Sequence, residues 1–162
     1  MMERFIFILI GLIVGAAITF FIIRSMAPKM MLVESESKYS FEETLQRLQQ
    51  AIDQKGWKTP AVHDLQATLA KFDYDVRKVK VMAVCQPDIA QKILSRDDER
   101  IASSLMPCRI SVYEKSDGKV YVSRLNSIKM GSLFGGVIEE AMDIAGHQSE
   151  MIIQTVVKDK KA

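Results

Sequence analysis

The sequence predicts an α+β domain carried behind one transmembrane helix, and three observations predict it. Phe5 to Ile23 contains no charged residue, and Thr19 is its only conventionally polar side chain. Beyond that run, Val76–Cys85, Cys108–Glu114 and Lys119–Ser123 read as strands, the last two joined by the turn Ser116-Asp-Gly118. Other segments carry apolar residues at helical spacing, the longest from about Ser132 to Val157.

The N-terminal run spans roughly 30 Å as a helix, the thickness of a bilayer's hydrocarbon core. Val14-Gly15-Ala16 resembles the small-residue cleavage site of a secretory signal, but Phe20, Phe21, Ile22 and Ile23 continue the apolar stretch well past it. Residues 1–29 therefore read as an uncleaved anchor and short linker, with Pro28 ending the helix and residues 5–23 in the lipid bilayer. This places the protein at the cell membrane as a single-pass chain. Arg4 and the free amine, offset by Glu3, face Arg24, Lys29 and Lys38 across the span. A strict positive-inside count leans towards a cytoplasmic domain, by too small a difference to assign the side. Gly11-Leu-Ile-Val-Gly15 is a small-xxx-small pattern that permits close packing of two such helices.

Residues 30–157 make one domain, followed by a charged tail at 158–162. Met30 to Ser37 alternates as a first strand. Ser40 and Glu43 form a capping-box pattern before a helix whose stripe is Phe41, Leu45, Leu48 and Ile52, ended by Gly56. Trp57 beside that glycine reads as a partly buried anchor for the helix end. Trp57 to Val62 is a short extended segment broken by Pro60, and His63 to Phe72 a short helix with Leu65, Leu69 and Phe72 at helical spacing. In Val76–Cys85, Val79, Val81, Ala83 and Cys85 share one face, and Lys78, Lys80, Met82 and Val84 the other. Pro87 to Leu94 is a helix with proline in its first turn, and Arg96 to Arg100 a charged surface connection. In the final helix, Ile138, Ala141, Ala145, Ile152 and Val156 form the apolar stripe, and Gly146 is a point of weakness. Gly131, Gly135 and Gly136 read as backbone flexibility at its start.

Lys and Arg total 22 against 20 Asp and Glu, and the basic residues are scattered among acids. That distribution excludes a nucleic-acid surface; the cluster at 158–161 is a solvated end. His63 and His147, the two histidines, stand in no metal-binding spacing. There is no Ser-His-Asp arrangement, phosphate-binding glycine loop or paired zinc motif, so no catalytic or metal residue is assigned and no cofactor is identified. Cys85 and Cys108 are too few for a disulfide scaffold. Three readings stand for them: two small buried apolar groups, one disulfide, or a functional thiol pair. Met82 and Met106 lie near them and suit Cu(I), but Met82 and Cys85, three apart on a strand, point to opposite faces.

The succession Phe41-Glu-Glu-Thr-Leu, Gly56, Val84-Cys-Gln-Pro-Asp-Ile-Ala90, Leu105-Met-Pro-Cys-Arg109, Val112-Tyr-Glu114 and Asp117-Gly-Lys-Val120 resembles the bacterial family called domain of unknown function 302. The likeness covers roughly Met30 to Ile153. Gln86 replaces the asparagine common in the first block. The resemblance implies a two-layer α+β fold like that of the TATA-binding protein, with an antiparallel sheet gripped by a long C-terminal helix. It also implies a homodimer and an open groove between sheet and helix, and it supplies no catalytic residues. In such a fold, antiparallel neighbours would set Cys85 and Cys108 at the base of one inserted helix, within disulfide range. The expected function is a non-enzymatic, membrane-tethered module that binds a small ligand or partner. The alternative is thiol-dependent redox or sulfur handling at Cys85 and Cys108.

Overall fold

A computed structural model describes residues 2–159, and within them no side chains for residues 2–10 and 26–29. The chain opens with α1 (Met2–Met31) and passes straight into β1 (Leu32–Glu36). The expected linker over residues 24–29 is thus helix, and Pro28 lies within α1 rather than at its end. Proline removes one donor from the ladder, which weakens or bends a helix without having to end it. Leu12, Ile13, Phe20, Phe21 and Ile23 stand 61–73% exposed along α1. Among the described residues no helix is long and apolar enough to cross a membrane. The apolar run predicted to do so starts at Phe5, and the side chains of residues 5–10 lie outside the described ones. The predicted tail likewise lies outside them from residue 160 onward.

The next helix, α2 (Phe41–Gln54), buries Phe41, Thr44, Leu48, Ala51 and Ile52. The capping box does not form. Ser40 holds the N-cap position without a side-chain bond, and Glu43 turns instead to Arg47 at 2.9 Å. Buried Thr44 takes over: its hydroxyl donates to the Ser40 carbonyl at 2.7 Å and lies 2.7 Å from the Ser37 hydroxyl, tying the helix start to the residue after β1. At the other end Gly56 adopts φ 72, and the Trp57 and Gly56 amides donate to the Ile52 and Asp53 carbonyls at 3.1 and 3.0 Å. That is the paired-bond helix stop in which glycine avoids the left-handed penalty. It delivers Trp57 into the core at 1% exposure, deeper than expected.

His63, expected in a helix, belongs to β2 (Lys58–Asp64), whose register breaks between Lys58 and Ala61, around Pro60. β2 is an edge strand, where a residue without an N–H is tolerated. Asp64 caps the short α3 (Leu65–Ala70) by accepting from the Ala67 amide at 2.8 Å. Leu65, Leu69 and Phe72, the apolar residues at helical spacing, are exposed. Less than two turns of helix at the sheet's margin cannot reach the core.

β3 (Val79–Cys85) leads into α4 (Pro87–Leu94), capped by the Gln86 side chain on the Ile89 amide at 2.8 Å. The predicted charged connection is in fact a 3₁₀ segment, Asp98–Leu105, with Ala102 buried. β4 (Cys108–Glu114) and β5 (Val120–Leu125) form the expected hairpin, with Gly118 at φ 76. The final helix, expected from about Ser132 to Val157, is α6 (Gly136–Gln154); an unexpected short α5 (Ser127–Gly131) precedes it, and Gly135 and Gly136 turn to φ 74 and 57 between them. Gly146 is a close contact rather than a weakness: a Cβ there would lie 2.6 Å from Ile128 Cγ1. Gly131 likewise sits where a Cβ would meet Met142 Cβ at 2.8 Å.

The five strands form one antiparallel sheet in the order β1-β5-β4-β3-β2. Met82, Val84, Ile110, Val112, Val120 and Val122 share the face that meets the buried stripes of α2 and α6. The pairs Leu32↔Leu125 and Val84↔Cys108 set the start of β1, the end of β5, the start of β4 and the end of β3 at one end of the sheet. α1 joins there. After α6, buried Val156 and Val157 return to the chain beyond β1, where Ser37 bridges Val157.

Candidate functional site

A cavity of about 460 Å³ opens at that same end of the sheet. Its floor is the strand ends, including Val84, Cys108 and Ile110; α4 contributes Ile89 and Ile93, the 3₁₀ segment Ala102 and Leu105, and α6 Ala141, Met142 and Ala145. Trp57, delivered by the stop after α2, completes the wall. The volume falls within the range of small-molecule pockets, and the wall is mostly apolar.

Several polar groups on the wall, the buried Arg124 above all, are engaged by the chain itself. Arg124, 6% exposed, binds Glu150 through two nitrogens at 2.7 and 2.5 Å and Ser35 through the third at 2.8 Å. Ser149 donates to the Gly146 carbonyl and Ser104 to the Ile101 carbonyl. The Gln86 amide is divided between the Ile89 N–H and Asp88. What remains free for an occupant is chiefly hydrocarbon surface.

Both predicted cysteines line this cavity and both thiols are free. Antiparallel pairing of β3 with β4 brings them to one end of the sheet. The register pairs Cys108 with Val84, however, leaving Cys85 one residue further along, so the two Cβ atoms leave the sheet on opposite faces. Burial pushes the Cys85 thiol above its ordinary range; burial, reinforced by the charge of Cys85, does the same to Cys108. A raised pKa leaves less nucleophilic thiolate near neutral pH.

The other singled-out residues lie apart. Met106 lines the cavity with Cys108, while Met82 is buried on the face opposite Cys85. His63 is exposed on β2, and exposed His147 packs its Nδ1 against the Asp143 carbonyl at 2.9 Å. Among the described residues no group of three or more His, Cys, Asp or Glu is placed to hold a metal. Gly11 and Gly15 face open space on α1. Sequence reasoning read Trp57 only as an anchor for the helix end, and missed Arg124 with Glu150 and the 3₁₀ wall. The Ala102 and Leu105 spacing, masked by the charged residues before it, was the available signal.

Fold and site define an α+β domain with an antiparallel five-stranded sheet and an apolar cavity at one end. The pattern of the family described as domain of unknown function DUF302 matches residues 33–157, and the chain belongs to that family. Among solved structures it is similar to an uncharacterized conserved DUF302 protein from Bacillus stearothermophilus. That likeness has 16% identity and a TM-score of 0.69, and covers 77% of this chain and 97% of the other. At that identity the likeness shows the fold alone. No curated protein matches the chain.

Proposed function

We propose that this protein is a membrane-anchored, non-enzymatic binding module whose cavity takes a small apolar ligand. The observation that carries this reading is a cavity of about 460 Å³ whose wall is mostly hydrocarbon and whose buried Arg124 is already bonded within the chain. Cys85 and Cys108 enter as part of that wall: their raised pKa values weigh against the thiol-dependent alternative. The anchor rests on the uncharged run from Phe5 to Ile23 and on the exposed apolar side chains of α1. A homodimer is the second part of the proposal, supported by Tyr113 and Tyr121, which stack half-buried on the sheet face away from the buried stripes of α2 and α6. Sedimentation of the chain with membranes, and a mass of two chains after extraction, are what these parts require.

Trp57 supplies the direct test, because it is the sole tryptophan and stands in the cavity wall. Titrating the full chain with bromobenzene, a small apolar heavy-atom quencher, should quench Trp57 emission saturably. Filling the cavity by Ala145→Leu or Ala90→Phe should remove the effect while the thermal transition persists. Unquenched Trp57 in the native chain, or equal quenching in both folded variants, would overturn the reading.

A further inference from the structure

The cavity opens where the anchor joins the domain. Leu32, the first residue after α1, lines the cavity and is 61% exposed; Leu105, on the 3₁₀ segment, lines it and is 37% exposed. A residue that is both wall and surface marks the mouth. The Met31 carbonyl, at the end of α1, accepts from the Asn126 amide at 2.8 Å, which fastens α1 to the start of α5 beside that mouth. Further exposed hydrocarbon belongs to the neighbouring segments: Ile101 precedes Leu105 in the 3₁₀ segment, and Leu133 and Phe134 follow α5. Exposed Arg109 also lines the cavity, giving the opening a fixed positive charge. An apolar hollow at the end of a membrane helix, with hydrocarbon at its lip and a cation beside it, matches a phospholipid. The chain is apolar and the headgroup anionic.

We propose that the cavity takes one acyl chain of a bilayer phospholipid, entering past Leu32 and Leu105 with the phosphate outside, beside Arg109. This rests on the reading of the cavity as an apolar binding site and names its ligand and its source. The lipid is held without chemical change, so no bond forms or breaks. Arg109 binds the phosphate as a donor of charge-assisted hydrogen bonds, and the chain replaces water against Ile89, Ile93 and Met142.

The test uses the full chain in nanodiscs of phosphatidylcholine brominated on its acyl chains, against unbrominated nanodiscs. Bromine quenches at contact range, so Trp57, buried in the domain, reports an acyl chain only inside the cavity. The expected result is quenching of Trp57 in brominated discs and its loss in Leu105→Arg, which places a charge at a surface position of the mouth. Discs that mix in brominated phosphatidylglycerol should raise quenching of the native chain, and Arg109→Gln should weaken quenching and abolish that rise, which a purely structural arginine would not. Equal Trp57 emission in both discs, with bromobenzene still quenching, overturns the lipid source and leaves the apolar cavity reading standing. No quenching by either overturns both. Quenching by free brominated fatty acid but not by brominated phospholipid also overturns the proposal, since the ligand would then arrive from water.

Discussion

Arg124 is the residue whose burial asks most of its surroundings. Its guanidinium is 5% exposed at the side chain and meets a Glu150 carboxylate that is 35% exposed. Removing one member of a buried pair strands the other charge, at a cost that reaches several kcal/mol. Partial exposure of Glu150 reduces this, so Glu150→Ala should destabilise by about 2 kcal/mol. Replacing both partners, Arg124→Met with Glu150→Leu, should recover most of that loss. Urea denaturation of all three proteins decides it; a Glu150→Ala cost no greater than an exposed pair's would show the buried charge to be solvated. The pair was not legible in the sequence: Arg124 alternates onto the helix face of β5, and Glu150 sits off the apolar stripe of α6. Nothing local announces that two such positions meet. The cysteines were legible as neighbours at one sheet end, but a one-residue offset in register, invisible without the partner strand, decides which face each thiol takes.

At the scale of elements, the contact between α5 and α6 turns on Gly146. An isolated helix would gain about 1 kcal/mol from alanine there. In this packing the added Cβ would lie 2.6 Å from Ile128 Cγ1 and 3.2 Å from the Ile128 nitrogen, and the backbone atom has little room to move. Overpacking of that kind costs about 1–3 kcal/mol, so the clash wins and Gly146→Ala should lower the melting temperature. A higher melting temperature would restore the helix-weakness reading. The elements themselves were largely legible: the stop at Gly56, the proline opening α4 and the Asp117-Gly118 hairpin are set by local backbone chemistry. Legibility ended where tertiary contact overrides pattern. Thr44 displaces the predicted cap because Ser37 is its buried partner, and Leu65, Leu69 and Phe72 keep a helical spacing with no core above them.

Over the whole molecule, the sheet order puts β1 beside β5, so the strand next to α1 pairs with one from the far part of the sequence. Two carboxylates on β1, Glu34 exposed and Glu36 half-buried, tie that strand to the turn after β4 and to the residue after Val157. Glu34 is held below the usual carboxylate range by Lys115 and Tyr113, and Glu36 by Lys158. A depressed folded pKa contributes stability above the ordinary value of 4.5 and loses it as pH falls through the folded value. The consequence is an order of assembly. The β4–β5 hairpin closes a short loop and β3 adds through α4, whereas β1 must wait for the longest loop between paired strands of the sheet to close. Pulsed hydrogen exchange during refolding should protect β4 and β5 amides first and β1 last, with the lag lengthening in acid; simultaneous protection would refute a sequential order. Until that last strand docks, Leu32 is not yet part of the cavity wall, so the site is completed by the same step that joins α1 to the sheet.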